Sequence, residues 1–143
     1  MQYRNFLLVI LLIVTAGAGF VIFGRTVEIP TQSSTSATDA PFTQDAFAAA
    51  QKAGKPILLH VTAPWCPTCT AQKPILGNIA VDPAFKDLVI LRVDFDSQKD
   101  VVRAMNVRSQ STLIVYRGAN ELGRSAGDTN AASITALARK TIS

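Results

Sequence analysis

Two cysteines, Cys66 and Cys69, stand where an apolar run gives way to a helical pattern, and that junction constrains the chain more than any other feature. Pro56–Thr62 (P-I-L-L-H-V-T) is apolar nearly throughout and reads as a short buried strand. After it, Ala71, Ile75, Leu76 and Ile79 recur at helical spacing. Pro67 falls at the helix start, where its missing N–H costs nothing. The two sulfurs then lie about one helical turn apart, close enough to bond to each other. A helix N-terminus offers unpaired N–H groups and a partial positive charge, which favour a thiolate. The chemistry that follows is thiol exchange. Cys66, expected near the lip, attacks a disulfide, and Cys69 resolves the mixed species. Zinc sites use the same C-x-x-C spacing, so a non-catalytic copper- or zinc-holding module is the competing reading.

The run Ala63-Pro64-Trp65-Cys66-Pro67-Thr68-Cys69 resembles the W-C-x-x-C signature of the thioredoxin superfamily. The resemblance extends from Phe42 to the C-terminus. Pro74 sits where the family's active-site helix carries a proline, and Leu88–Asp96 is similar to its next strand, with a V-D-x-D ending. Val107–Tyr116 and Glu121–Gly127 resemble its closing hairpin. This implies an α/β thioredoxin fold, a central mixed β-sheet with helices on both faces. It also implies a protein-disulfide oxidoreductase that needs no cofactor and acts on protein thiol and disulfide clients. Trp65 and Pro67 beside the cysteines, with Gln110, Ser111 and Thr112 on the facing loop, are the expected substrate contacts.

His60, six residues before Cys66, takes the place of a buried acid that thioredoxins use to move protons to and from the second thiol. An imidazole, with an unperturbed pKa of roughly 6.5, can do that work. It can equally be a packed core histidine, or a metal ligand together with the cysteines. The chain departs from the family at Ser111, where the pattern has a cis-proline. A non-proline cis bond costs about 2.5–4 kcal/mol, so Gln110–Ser111 is expected to be trans. The run Gly54–Cys66 is similar to the thioredoxin domains of DsbD-type membrane reductases. That likeness implies a reductive role and an upstream membrane electron donor of the same kind.

Phe6–Phe23 is 18 consecutive uncharged, mostly apolar residues between Arg4 and Arg25. As a helix it spans about 27 Å, near the roughly 30 Å hydrocarbon core of a bilayer. Residues 1–25 are therefore expected to be one N-terminal hydrophobic helix, an uncleaved anchor. A cleaved signal peptide, cut near Ala16-Gly17-Ala18, is the alternative. Either reading places the rest outside the cytoplasm, with the anchored form in the inner membrane facing the periplasm. Residues 26–41, rich in Ser and Thr, read as a flexible tether. Residues 42–143 read as the folded domain, and they carry the whole net charge of +4. The basic residues are scattered and no nucleic-acid motif accompanies them, so no nucleic-acid partner is expected.

Within the domain a helix is expected at Phe42–Ala53, with Phe42, Ala46, Phe47 and Ala50 inward and Gly54 as its stop. A short helix at Lys99–Met105 turns Val101, Val102 and Met105 inward, and a last one at Ala131–Ile142 buries Ile134, Leu137, Ala138 and Ile142. Asp82-Pro83 and Arg117–Asn120 read as turns.

Overall fold

The computed structural model describes residues 39–143. The expected hydrophobic helix at 1–25 and nearly all of the tether lie outside the described residues. Among those described, no helix is long and apolar enough to cross a membrane.

The fold grows from β2 (Pro56–Thr62), whose seven residues are all buried, as its nearly continuous apolar run requires of a central strand. In chain order the elements are β1 (Ala40–Pro41), α1 (Gln44–Lys52), β2, α2 (Pro67–Val81), a 3-10 turn (Pro83–Phe85) and β3 (Val89–Asp94). Then come α3 (Lys99–Ala104), β4 (Thr112–Arg117), β5 (Asn120–Ala126) and α4 (Ala131–Arg139). The sheet order is β1-β3-β2-β4-β5. β3 runs parallel to both β1 and β2, whereas β4 is antiparallel to β2 and to β5. This is the mixed sheet expected, with a thioredoxin fold.

Alternation along the strands divides the core. Ile57, Leu59 and Val61 face Phe47 and Ala50 of α1 and Val102 of α3. Leu58, Leu113 and Val115 face Leu76 and Ile79 of α2 and Ile134, Leu137 and Ala138 of α4. Four details depart from the sequence reading. Ala40 and Pro41, expected in the tether, pair with Leu91 and Arg92 as an edge strand, and Asp39 bonds Arg92 at 3.1 Å. α1 begins two residues late because the Thr43 hydroxyl caps it by accepting from Ala46 N–H, so Ala46 is exposed. α4 stops at Arg139 and Ile142 stays exposed. In α2 the buried stripe is Cys69, Gln72, Leu76 and Ile79, with Ala71 outside.

Candidate active site

Where β2 ends, Cys66 N–H donates to the Ala63 carbonyl at 3.2 Å and turns the chain into α2. Cys66 is the N-cap of that helix, in extended backbone geometry, and Pro67 is its first residue. Its Sγ accepts from Cys69 N–H at 3.0 Å, and its carbonyl accepts from Thr70 N–H at 3.1 Å. The helix start thus aims the Cys69 N–H at the first sulfur. Cys66 and Cys69 form a disulfide with Cα atoms 5.3 Å apart. The pair packs with Ala63 against the partly buried Phe95.

Both cysteines are buried, at 2% and 1% exposure, so Cys66 does not sit at the lip as expected. The disulfide ties its sulfur back toward the helix, and Phe95 covers the pair. The residues around it in the chain, Pro64, Trp65 and Pro67, are open to solvent, so the depth is one residue. Trp65 is 60% exposed. Its indole N–H donates to Asp96 Oδ2 at 2.8 Å, which holds the large ring at the surface beside the cysteines. The turn carrying Asp96 is set by Asp94, whose Oδ1 accepts from Ser97 N–H at 2.7 Å, Ser97 O–H at 2.8 Å and Asp96 N–H at 3.0 Å. Those bonds, Ser97's foremost, hold the Asp94 carboxyl below its usual range.

The facing loop runs into β4, whose Thr112 pairs with Val61 near the end of β2. Ser111 has φ +59 and no peptide bond among the described residues is cis, so Gln110–Ser111 is trans as expected. A left-handed serine costs about 1–2 kcal/mol, which the surroundings must offset. The Ser111 carbonyl accepts from Gln72 Nε2 at 3.1 Å and from Gly127 N–H at 3.0 Å, and its hydroxyl donates to the Gln110 carbonyl. Of the expected contact residues, Trp65 and Pro67 lie open and Gln110 is half-buried. Ser111 and Thr112 are buried, because one hydroxyl turns back on Gln110 and the other donates to Ser109 O at 2.7 Å.

His60 is fully buried on the α2 and α4 side of the sheet, the side that Leu58 also faces. Neither ring nitrogen has a hydrogen-bond partner of good geometry. Burial pulls its pKa below the usual histidine value; Asp39 and Gln72 oppose that, while Lys73 and Arg92 add to it. Among the described residues no three His, Cys, Asp or Glu side chains converge as a metal site. A neutral buried histidine has a signature in stability. Below pH 6.5 the unfolded chain takes up a proton that the folded chain refuses, so stability falls as pH drops toward the lowered folded pKa. The slope reaches at most about 1.4 kcal/mol per pH unit. Urea unfolding between pH 7 and pH 5 should show this loss, and His60→Leu should remove it. An equal slope in both proteins would mean that His60 takes up its proton as readily folded as unfolded.

Sequence reasoning missed Gln72. Its signal was position: it stands three residues after Cys69 and four before Leu76, on the buried stripe. Its polarity led away from that assignment.

The thioredoxin family model matches residues 38–140. The chain is 32% identical over 90 residues to the thioredoxin of Mycobacterium tuberculosis, an alignment covering 63% of this chain and 73% of that protein. It is 33% identical over 79 residues to the TPR repeat-containing thioredoxin TDX of Arabidopsis thaliana, 55% of this chain but only 20% of that longer protein. Among solved structures, Trxlp from Edwardsiella tarda is similar with a TM-score of 0.67 and 39% identity, over 68% of this chain and 95% of that one.

Proposed function

This chain belongs to the thioredoxin family, and from that premise we propose that it is a membrane-tethered reductase of protein disulfides outside the cytoplasm. The observation that carries the exchange chemistry is the Cys66–Cys69 disulfide at the start of α2. In the reduced protein the Cys66 thiolate attacks a client disulfide. A Cys66–client bond forms, the client S–S bond breaks, and one client sulfur leaves as a thiolate. Cys69 then loses its proton, with His60 as the relay, and its sulfur attacks Cys66. The Cys66–Cys69 bond closes and the second client thiolate departs. Two electrons have passed to the client, and a membrane dithiol donor of the DsbD type returns them.

The export reading is supported by the uncharged apolar run at 6–23, and the reductive direction by the likeness of Gly54–Cys66 to DsbD-type domains. Trp65, held open beside the pair, is the docking surface. The test has three arms. The reduced full chain should cleave an interchain disulfide of a model client. Its couple, equilibrated with glutathione, should lie nearer the about −270 mV of a reducing thioredoxin than the about −120 mV of a strong oxidant. A carboxy-terminal reporter active only outside the cytoplasm should be active. Tight zinc or copper retention with negligible exchange would replace this reading with metal delivery.

A further inference from the structure

Gln72 is fully buried on the inner stripe of the cysteine helix, and its amide nitrogen serves two separate loops. One N–H donates to the Ser111 carbonyl at 3.1 Å, and the other to the Asp128 carbonyl at 2.8 Å. Asp128 follows Gly127, whose own N–H donates to Ser111 at 3.0 Å, so these bonds close a ring around the loop that faces the disulfide. The ring holds Ser111 at φ +59, a conformation a serine does not keep unaided. The other polar atom of the amide, Oε1, is buried without a partner. So are both nitrogens of His60, whose pKa the Gln72 side chain works to raise against the lowering by burial. Buried groups left unpaired in this way are costly, and one N–H from a neutral imidazole to Oε1 relieves both residues.

We propose that Gln72 is the positioning residue of the exchange site: its two N–H groups fix the client-facing loop to the cysteine helix, and its carbonyl oxygen orients His60. The proposal rests on the exchange reading above and names a group that acts through others. Charged residues around His60 are Lys73 on α2, Arg92 on β3 and Asp39 before β1, while β4 places the apolar Leu113 opposite it. The Asp128 carboxylate is occupied by Ser133 O–H and Asn130 N–H. None of these changes when Gln72 alone is replaced.

His60 is the only histidine, so its imidazole protons titrate alone in an NMR spectrum of the full chain. Gln72→Met removes the acceptor oxygen while keeping shape, and the His60 midpoint should move to lower pH. Gln72→Glu puts a carboxylate there, and the midpoint should move to higher pH. A merely structural role predicts no such opposite pair. In Gln72→Met the Gly127 amide should exchange with solvent about fivefold faster, the effect of one lost hydrogen bond, while the Val93 amide in β3 stays unchanged. The KM for a disulfide client should rise about fivefold, and kcat should fall as His60 loses its orientation. Adding Ser111→Gly, which tolerates φ +59 without help, should recover most of that rise. Unmoved His60 midpoints with an unmoved Gly127 exchange rate would overturn the proposal. Wild-type protein without exchange activity would instead overturn the reductase reading, leaving the two spectroscopic readouts to judge Gln72.

Discussion

Cys66→Ser should lower the rate of disulfide exchange by about three orders of magnitude or more, because a hydroxyl at that position is not ionised at neutral pH. Burial does not distinguish the two cysteines, since both are almost fully covered. Position does. Cys66 caps α2, its sulfur receives the Cys69 N–H at 3.0 Å, and exposed Trp65 and Pro67 flank it. Cys69 lies inside the first turn, on the stripe that packs under the helix with Gln72 and Leu76. The helix start therefore stabilises negative charge on Cys66 more than on Cys69. Cys69→Ser should behave differently, keeping the first attack but lacking the sulfur that resolves it. Intact-mass analysis should then find the client bound covalently in Cys69→Ser and absent in Cys66→Ser. A Cys66→Ser rate within tenfold of wild type, or the adduct in the opposite variant, would transfer the attacking role to Cys69.

What the sequence disclosed and what it hid follow from the range of the forces involved. Pro56–Thr62 was legible to the residue because a strand buried on both faces must be apolar nearly throughout, and that is a local property. The cysteine pair and its helix start were legible for the same reason, since a strand end, an N-terminal proline and a C-x-x-C all lie within a few residues. Ala40–Pro41 was not, because two residues carry no periodicity and pair only once β3 offers an edge. Gln72 was not singled out, since its partners, Ser111 and Asp128, stand 39 and 56 positions away. Ser111 itself was seen as a departure from the proline pattern, yet its left-handed backbone could not be foreseen without the amide that holds it. The burial of Cys66 escaped for a related reason. Phe95 is distant in sequence and reaches the sulfurs only through the pairing of β3 with β2.

Phe85→Ala should destabilise the domain by about 3–5 kcal/mol, against a total of about 5–15 kcal/mol for a domain of this kind. The ring is wholly buried in one cluster with Leu58, Leu76, Ile79, Ile90 and Ile134, from the sheet and both helices on that side, and with Leu88 just before β3. Its backbone is pinned as well. Asp82 caps the 3-10 turn through Ala84 N–H at 2.8 Å, and Leu88 N–H donates to the Phe85 carbonyl at 2.8 Å. The pocket cannot collapse easily around a methyl group, so a cavity remains and adds to the lost transfer energy. The Arg139 guanidinium, 5.7 Å from the ring centroid, loses its cation–π contact too. Val81, in the last turn of α2 but 81% exposed, supplies the control, and Val81→Ala should change stability by less than about 0.5 kcal/mol. Denaturant midpoints at constant slope measure both. Phe85 lies beyond the far end of the cysteine helix, so under conditions where Phe85→Ala remains folded its exchange rate should match wild type. A loss under about 1 kcal/mol would mean the turn repacks around the gap. A slowed exchange in fully folded protein would mean the helix transmits the cavity to Cys66.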